Sequence, residues 1–431
     1  MAFLLTCFVL FIALGMPIAF VIGVAGMAYF AATPILPPEI VVQQIVSQSQ
    51  SFAFLAVPFF IFAGNLMNVS GITSRLLGLA RLLTRRMYGG TAQISVVLST
   101  LMGGVSGSAT ADAAMETRIL APEMMRLGYS KGYICSVNCI TALITATIPP
   151  SLGLIIFGFV GEVSIGRLFA AGIIPGILMM LFLMTTTSIT SRIKRFDPPK
   201  KDMPRLTFTE LLENLKESVW ALLFPVLLIV GIRFGIFTAS ESGAFAVVYA
   251  IIIGKFVYKE LTWEKFRNAL ITTVKDNGAI MLIIAMSGPF SYAITWVQLP
   301  VHMSNLIFGI TENAHLLTLI MLAFLFVSGM FVDSNVNFLL LTPIFLPMVT
   351  KVGMDPVHFG VLMATMVTLG VMTPPIGSAL YTVCGIIKCP VEDYTKESLP
   401  FLFAVCLELA ILVYLPGVVL WIPNMIFGPM R

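Results

Sequence analysis

Apolar residues run along this chain in long blocks separated by short clusters of charge. The stretches 1–38, 40–74, 87–111, 132–161, 168–191, 277–311 and 356–387 contain no Asp, Glu, Lys or Arg. About 20 apolar residues carry a helix across the hydrocarbon of a bilayer, so the pattern predicts an all-α polytopic membrane protein. Predicted spans cover 3–31, 50–68, 133–160, 167–190, 219–236, 239–257, 276–297, 357–386 and 400–427. The first run lacks a basic n-region and a small-residue cleavage site, and it is longer than a signal-peptide core. It therefore reads as a retained span. Segments 72–88, 206–220 and 261–274 are amphipathic and are predicted to lie in the headgroup plane. The second of them opens with Thr207 and Glu210 at capping-box spacing.

Two of the spans are interrupted by proline pairs, in "ATIPPSLG" (146–153) and "VMTPPIGS" (371–378). The offset between the pairs is 225 residues. At that offset Pro122 meets Pro347, Gly128 meets Gly353, Gly104 meets Gly329, Pro175 meets Pro400, and Asp112 meets Asn337. Shared Pro and Gly punctuation over some 70 residues predicts an internal duplication. Segments 91–130 and 315–353 each read as helix, tip and helix, which predicts two re-entrant hairpins. A lone proline pair reads equally well as a packing kink; two at one offset, each following a hairpin, point to a repeated site.

Charge placement predicts how the halves are oriented. Of 25 Lys and Arg residues, 21 fall in clusters at 75–86, 118–131, 192–216, 255–275 and 388–396. One topology puts all of them on the cytoplasmic side, with a cytoplasmic N-terminus and a periplasmic C-terminus. The two hairpins then enter from opposite faces, and the two broken helices run in opposite directions. The predicted fold is an inverted repeat with two re-entrant helical hairpins and two broken helices, ion-transporter-like in build. Its parts are 1–90 (scaffold helices and first arm), 91–190 (first transport repeat), 191–218 (cytoplasmic linker), 219–314 (scaffold helices and second arm) and 315–431 (second transport repeat).

Composition narrows the function classes. The chain is 58% hydrophobic and 11% charged, against about a quarter charged for a soluble domain. A net charge of +4 gives no reason to expect nucleic acid. Six cysteines lie scattered without a CxxC, so neither a disulfide framework nor a zinc site is expected. No Walker A motif occurs, and "GVSGS" is not a GxSxG elbow. His302, His315 and His358 fall near the outer ends of predicted spans, away from any serine at depth, so no catalytic set is formed.

Candidate chemistry concentrates at the tips and breaks. The first tip, "GGVSGSATADAA" (103–114), offers Ser106, Gly107, Ser108 and Asp112. The second, "SGMFVDSNVN" (328–337), offers Asp333, Ser334 and Asn337. Non-helical backbone survives at membrane depth only when it is buried or lines a wet cavity. Each interruption leaves free carbonyls, which suit Na⁺, and free N–H groups, which suit an anion. Glu116 is read as pairing with Arg118 or Arg126. The pattern fits an ion-coupled carrier of an anion. An anion channel would need a continuous polar path, and a membrane hydrolase would need the missing catalytic set.

Several motifs resemble one family throughout the chain. "GIFTASESGAFAVVYA" (235–250), "SGMFVDSNVNFLLLTPIFLP" (328–347), "SGSATADAA" (106–114) and "ITATIPPSLGLIIFG" (144–158) are similar to signatures of the large membrane subunit of TRAP transporters, the tripartite ATP-independent periplasmic family. The resemblance implies a Na⁺-driven elevator importer in the bacterial inner membrane. It also implies a small membrane subunit as a separate chain, a periplasmic substrate-binding protein, and an organic-acid substrate such as a C4-dicarboxylate or sialic acid. A carrier of similar build working without a binding protein is the alternative. Residue by residue, the resemblance implies one Na⁺ site from Ser106 and Ser108 with backbone at Thr147, Ile148 and Pro149. A second would combine Gly329 and the Asp333–Ser334 region with Gly370, Thr373 and Pro374. Ala239-Ser240 and Met115-Glu116-Thr117 depart from the family pattern and bear on the substrate subgroup.

Overall fold

A proline and a left-handed glycine divide the first predicted span. The computed structural model describes residues 2–33, 35–50, 55–199, 207–309 and 313–429, and among these no strand occurs. Helix α1 (Ala2–Ala13) stops before Gly15 (φ +75°), and α2 (Ile18–Ala31) starts after Pro17. Helix α3 (Glu39–Gln50) follows. Residues 51–54 of the predicted span 50–68 lie outside the described residues, and α4 covers Ala56–Val69. Helix α5 (Ile72–Thr84) then leaves α4 at 64°. Gly71 permits the corner, with φ +88°. The Arg75 guanidinium fixes it by donating to the Gly71 carbonyl and to the Glu260 carboxylate.

The first hairpin is α6 (Gly90–Gly103) and α7 (Ala109–Arg126). Fourteen residues of α6 rise only about 21 Å, short of the ~30 Å core. The first broken helix is α8 (Lys131–Thr141) and α9 (Leu143–Thr147), then the proline pair, then α10 (Leu152–Val160), bent by 43°. Helix α11 (Ile165–Lys194) closes the repeat. Of the predicted linker 191–218, residues 200–206 lie outside the described residues. Asp197 within it accepts from the Thr91 backbone N–H and hydroxyl, both at 2.9 Å, and so caps the start of α6.

Two predicted boundaries are absent. Segments 206–220 and 219–236 form one helix, α12 (Phe208–Arg233), opened by the capping box of Thr207 and Glu210. After α13 (Ala239–Ile252), segments 261–274 and 276–297 likewise merge into α14 (Trp263–Trp296). Nothing in either junction breaks a helix, so a polar amphipathic half and an apolar half share one axis. At 34 residues, α14 is about 51 Å long, so its charged end projects beyond the hydrocarbon instead of folding along the surface. Only the first arm turns away, because only it has the glycine corner. Helix α15 (Leu299–Phe308) leads to the second repeat.

That repeat is α16 (Ala314–Phe331), α17 (Ser334–Lys351), α18 (Pro356–Val371), a break, α19 (Ser378–Ile387) and α20 (Val391–Tyr414), with α21 (Pro416–Phe427) after it. Both ends of α7 shift by 225 residues onto both ends of α17. Ser130 and Asp355, one offset apart, both cap the next helix through their side chains. Gly128 and Gly353 are both left-handed. The predicted span 400–427 is longer and split: α20 begins at Val391, and Pro416, which cannot donate to the helix, restarts the chain as α21.

The repeats embrace each other. Helix α10 packs on α17, α7 on α19 and α8 on α20. Close backbone approach makes this possible. A methyl at Gly153 would strike the Phe338 ring, and one at Gly132 of α8 would meet the Asp393 carbonyl oxygen; within the first repeat, one at Gly172 of α11 would overlap the Thr147 carbonyl oxygen at the first break. Small residues serve the scaffold in the same way, with Gly26 on the Phe290 backbone. Gly385, by contrast, faces open space. Gly172→Ala is therefore expected to cost about 1–3 kcal/mol by overpacking, whereas Gly385→Ala is expected to be neutral or slightly stabilising. Thermal unfolding of the purified variants in detergent checks the contrast.

Candidate functional site

Three helices begin at one cavity. A space of about 150 Å³ is bounded by Gly107, Ser108, Ala109 and Thr110 at the start of α7, by Ser151, Leu152 and Gly153 at the start of α10, and by Asp333, Ser334 and Asn335 at the start of α17. Phe338, Ala146, Ala364 and Thr368 complete the wall. Both hairpin tips, the first break with the start of α10, and the middle of α18 thus reach one place. The first N–H groups of each helix lack intrahelical partners, and three positive helix ends converge where an anion would sit. Ser108 and Asp333, at N-cap positions of α7 and α17, are one repeat offset apart. Asp333 is exposed to the cavity, and one of its carboxylate oxygens accepts from the Asn335 N–H at 2.9 Å.

The first tip rests directly on the first break. Gly107 is left-handed (φ +67°), and a methyl there would stand 2.6 Å from the Pro150 carbonyl oxygen. The Leu152 N–H donates to the Gly107 carbonyl at 3.5 Å. Ile148 is extended beyond the last turn of α9, so the chain leaves the helix abruptly there, and the Thr147 carbonyl lies against Gly172 of α11. The first tip thus touches the break at two points, Gly107 against the Pro150 carbonyl and Gly103 against the Ile148 side chain, and Ser108 lines the cavity beside Ser151. At the second break a methyl on Gly370 would meet the Gly329 Cα at 2.7 Å. The Gly370 carbonyl already accepts from the Thr373 N–H (2.9 Å), and the Thr373 hydroxyl donates to the Leu369 carbonyl (2.6 Å). Asp333 and Ser334 lie on the cavity side with Thr368, two residues before Gly370. Pro375 and Ile376 are exposed next to Pro374, whereas Pro149 and Pro150 are buried.

Three sequence candidates stand behind the cavity wall. Asn337 is buried and ties the second tip together. Its amide accepts from the Ser328 hydroxyl and donates to the carbonyls of Val332 (2.9 Å) and Asp333 (3.3 Å). Asp112, its repeat partner, is fully buried, and neither carboxylate oxygen has a hydrogen-bond partner among the described residues. Ser106 and Thr145 are its polar neighbours. Glu116 corrects the expected pairing with Arg118 or Arg126. Those arginines are exposed, while the Glu116 carboxylate is fully buried and accepts from Ser95 (2.6 Å) and Ser99 (2.8 Å). The Ser95 and Thr141 hydroxyls share a further bond of 2.8 Å. A helix turns by 100° per residue, which carries residue 116 to the inner face of α7 and residue 118 to the outer.

Sequence reasoning passed over Thr110, Ser151, Asn335 and Thr368 on the wall. Ser151 carried a legible signal, as a serine directly after the proline pair, and it accepts from the Leu154 N–H to cap α10. Glu408 was also missed. It interrupts the predicted span 400–427 and lies fully buried in α20 with no hydrogen-bond partner among the described residues.

Helix ends gathered around a cavity between inverted repeats define a secondary-transporter fold. The family model described as "Tripartite ATP-independent periplasmic transporter, DctM component" matches residues 5–418. The chain is 34% identical to a putative TRAP transporter large permease protein of Haemophilus influenzae, over 95% of both chains. It is 32% identical to the sialic acid TRAP transporter large permease protein SiaM of Vibrio cholerae, over 96% of both. Its fold is similar to the YdaH transporter of Alcanivorax borkumensis, with a TM-score of 0.62 at 13% identity, covering 88% of this chain and 87% of that one. The chain belongs to the TRAP transporter large membrane subunits. It is a multi-pass secondary transporter component of a bacterial membrane and not an enzyme.

Removing the Ser95 and Ser99 hydroxyls strips the buried Glu116 carboxylate of its donors. Each alanine substitution is expected to cost about 1.5–3 kcal/mol, whereas Arg118→Gln and Arg126→Gln leave the thermal midpoint unchanged. Differential scanning fluorimetry of the purified variants reads both outcomes.

Proposed function

We propose that this subunit imports an organic acid by Na⁺-coupled elevator transport, receiving it from a periplasmic binding protein and working beside a small membrane subunit. The observation that carries the reading is the convergence of three helix N-termini on one cavity, a strong match to a carboxylate. Relatives named for sialic acid and for C4-dicarboxylates support the substrate class. A cavity of about 150 Å³ is of the size that holds a benzene ring, which favours a compact acid such as a C4-dicarboxylate over bulkier sialic acid. Na⁺ would sit at the two tip–break contacts, one at Ser106, Ser108 and the end of α9, the other at Gly329, Gly370 and Thr373. Hard oxygen donors from carbonyls and hydroxyls suit such an ion, and its charge would offset Asp333 beside an anionic substrate. Substrate and ions together would offset most of each other's charge, so the repeat carrying them could cross the bilayer at a lower desolvation cost. The charge clusters support a cytoplasmic N-terminus and a periplasmic C-terminus.

Reconstitution into vesicles with the small subunit and the binding protein tests the reading. Labelled organic acids should accumulate under an inward Na⁺ gradient and not under an equal K⁺ gradient; uptake indifferent to Na⁺ overturns the coupling. Asp333→Ala is expected to abolish uptake in folded protein. Asp333→Asn preserves a capping side chain while removing the charge. Loss of uptake in both variants assigns the function to the carboxylate, and full uptake in Asp333→Asn assigns it to the cap alone.

A further inference from the structure

The fold gathers three cysteines that the sequence scatters. Cys135 lies in α8, Cys384 in α19 and Cys389 just beyond α19, and their Sγ atoms all lie within 4.8 Å of one another. All three are buried. Helix α8 belongs to the first repeat and α19 to the second, so the cluster spans the contact between them. We propose that it binds one soft, thiophilic cation through three thiolates, with Cu⁺ as the best-fitting ion.

The donor set argues for this chemistry. Thiolates select soft ions such as Cu⁺ and Zn²⁺. With metal–sulfur bonds of about 2.3 Å, a trigonal site places its sulfurs about 4.0 Å apart, so the cluster needs a contraction of under about 1 Å. No His, Asp or Glu joins the group among the described residues. Three donors suit Cu⁺ better than Zn²⁺, whose structural sites take four. On binding the sulfurs exchange weak contacts, including thiol–thiol contacts among the three themselves, for bonds to the ion. Cys135 Sγ makes a weak contact with the Val383 carbonyl (3.8 Å), and Cys389 Sγ with that of Pro390 (3.4 Å).

On binding, each thiol releases its proton to solvent and donates a sulfur lone pair to the ion, with no change of oxidation state. The complex would be negative; Asp393 acts on Cys389 as a further negative charge, and the nearby lysines are exposed. Lys131 is one helical turn before Cys135, Lys388 directly precedes Cys389, and the Lys131 ammonium reaches the Lys388 carbonyl at 3.5 Å. The bound ion would clamp α8 to the α19–α20 connection, stiffening the contact between repeats.

Anaerobic titration of the purified full chain with Cu⁺ against bicinchoninate, following thiolate-to-copper absorption, tests the site; a parallel arm uses Zn²⁺. The expected result is a single Cu⁺ per chain, weaker Zn²⁺ binding, and a thermal midpoint raised by Cu⁺. Cys135→Ser, Cys384→Ser and Cys389→Ser should each lose the ion, while Cys139→Ser and the exposed-site Cys406→Ser retain it. Cys135→Ala provides a second variant should the serine variant misfold. Failure of the wild-type chain to take Cu⁺ from the chelator, retention of the ion without Cys135, loss of it in Cys406→Ser, or tighter Zn²⁺ than Cu⁺ would each overturn the proposal.

Discussion

Backbone polar groups cannot be left bare in hydrocarbon. A helix that spans without interruption satisfies this rule by itself, but then it offers nothing to a polar cargo. This chain interrupts its helices at two tips and two proline pairs, and each interruption must be covered by protein. The glycines at the breaks follow from that need. Gly107 lets the first tip settle on the Pro150 carbonyl, and Gly172 lets α11 press against the end of α9. Gly329 and Gly370 let α16 and α18 meet backbone to backbone. What stays uncovered faces the cavity, where helix N-termini supply positive potential without any buried cation. Among the described residues no Lys or Arg stands on the wall, so any pull on an anion there would come from helix ends and not from a fixed positive side chain.

The two repeats keep their geometry while their polar supports have diverged. Asp112 and Asn337 hold equivalent places one turn behind the tips. Asn337 uses its amide as both donor and acceptor to tie the second tip to α16. Asp112 can only accept while ionised, and it faces hydroxyls across the first tip. The first hairpin also carries the Glu116 ladder of Ser95, Ser99 and Thr141. An enclosed carboxylate costs stability unless it is well hydrogen-bonded, and this one has its donors supplied from α6. Symmetry of fold therefore coexists with asymmetry of charge between the two repeats.

Span positions, the duplication, and the hairpins and breaks were legible because lipid imposes long apolar runs and because Pro and Gly mark their ends. The agreement of α7 with α17 at both ends under one offset shows how much local punctuation carries. Gly107, Ser108, Asp333 and Ser334 line the cavity, and the sequence singled them out because they occupy the tips themselves. The merging of 206–220 with 219–236, and of 261–274 with 276–297, was not. Amphipathic and apolar stretches share one helical period, and no residue at either junction forces a bend.

The sequence alone determined the class of protein, its repeat and the chemistry of its tips, since these rest on local periodicity and on residues with special backbone preferences. Only the tertiary structure decided which groups face one another. It turned Glu116 from the arginines toward two serines, put Ser151 and Thr368 on the wall and Asp112 behind it, and joined Cys135 to Cys384 and Cys389. Those outcomes depend on helix rotation and on pairing between repeats, and a rotation of one residue, about 100°, moves a side chain from cavity to core. Local pattern sets where a helix runs; contact with distant helices sets which way it faces.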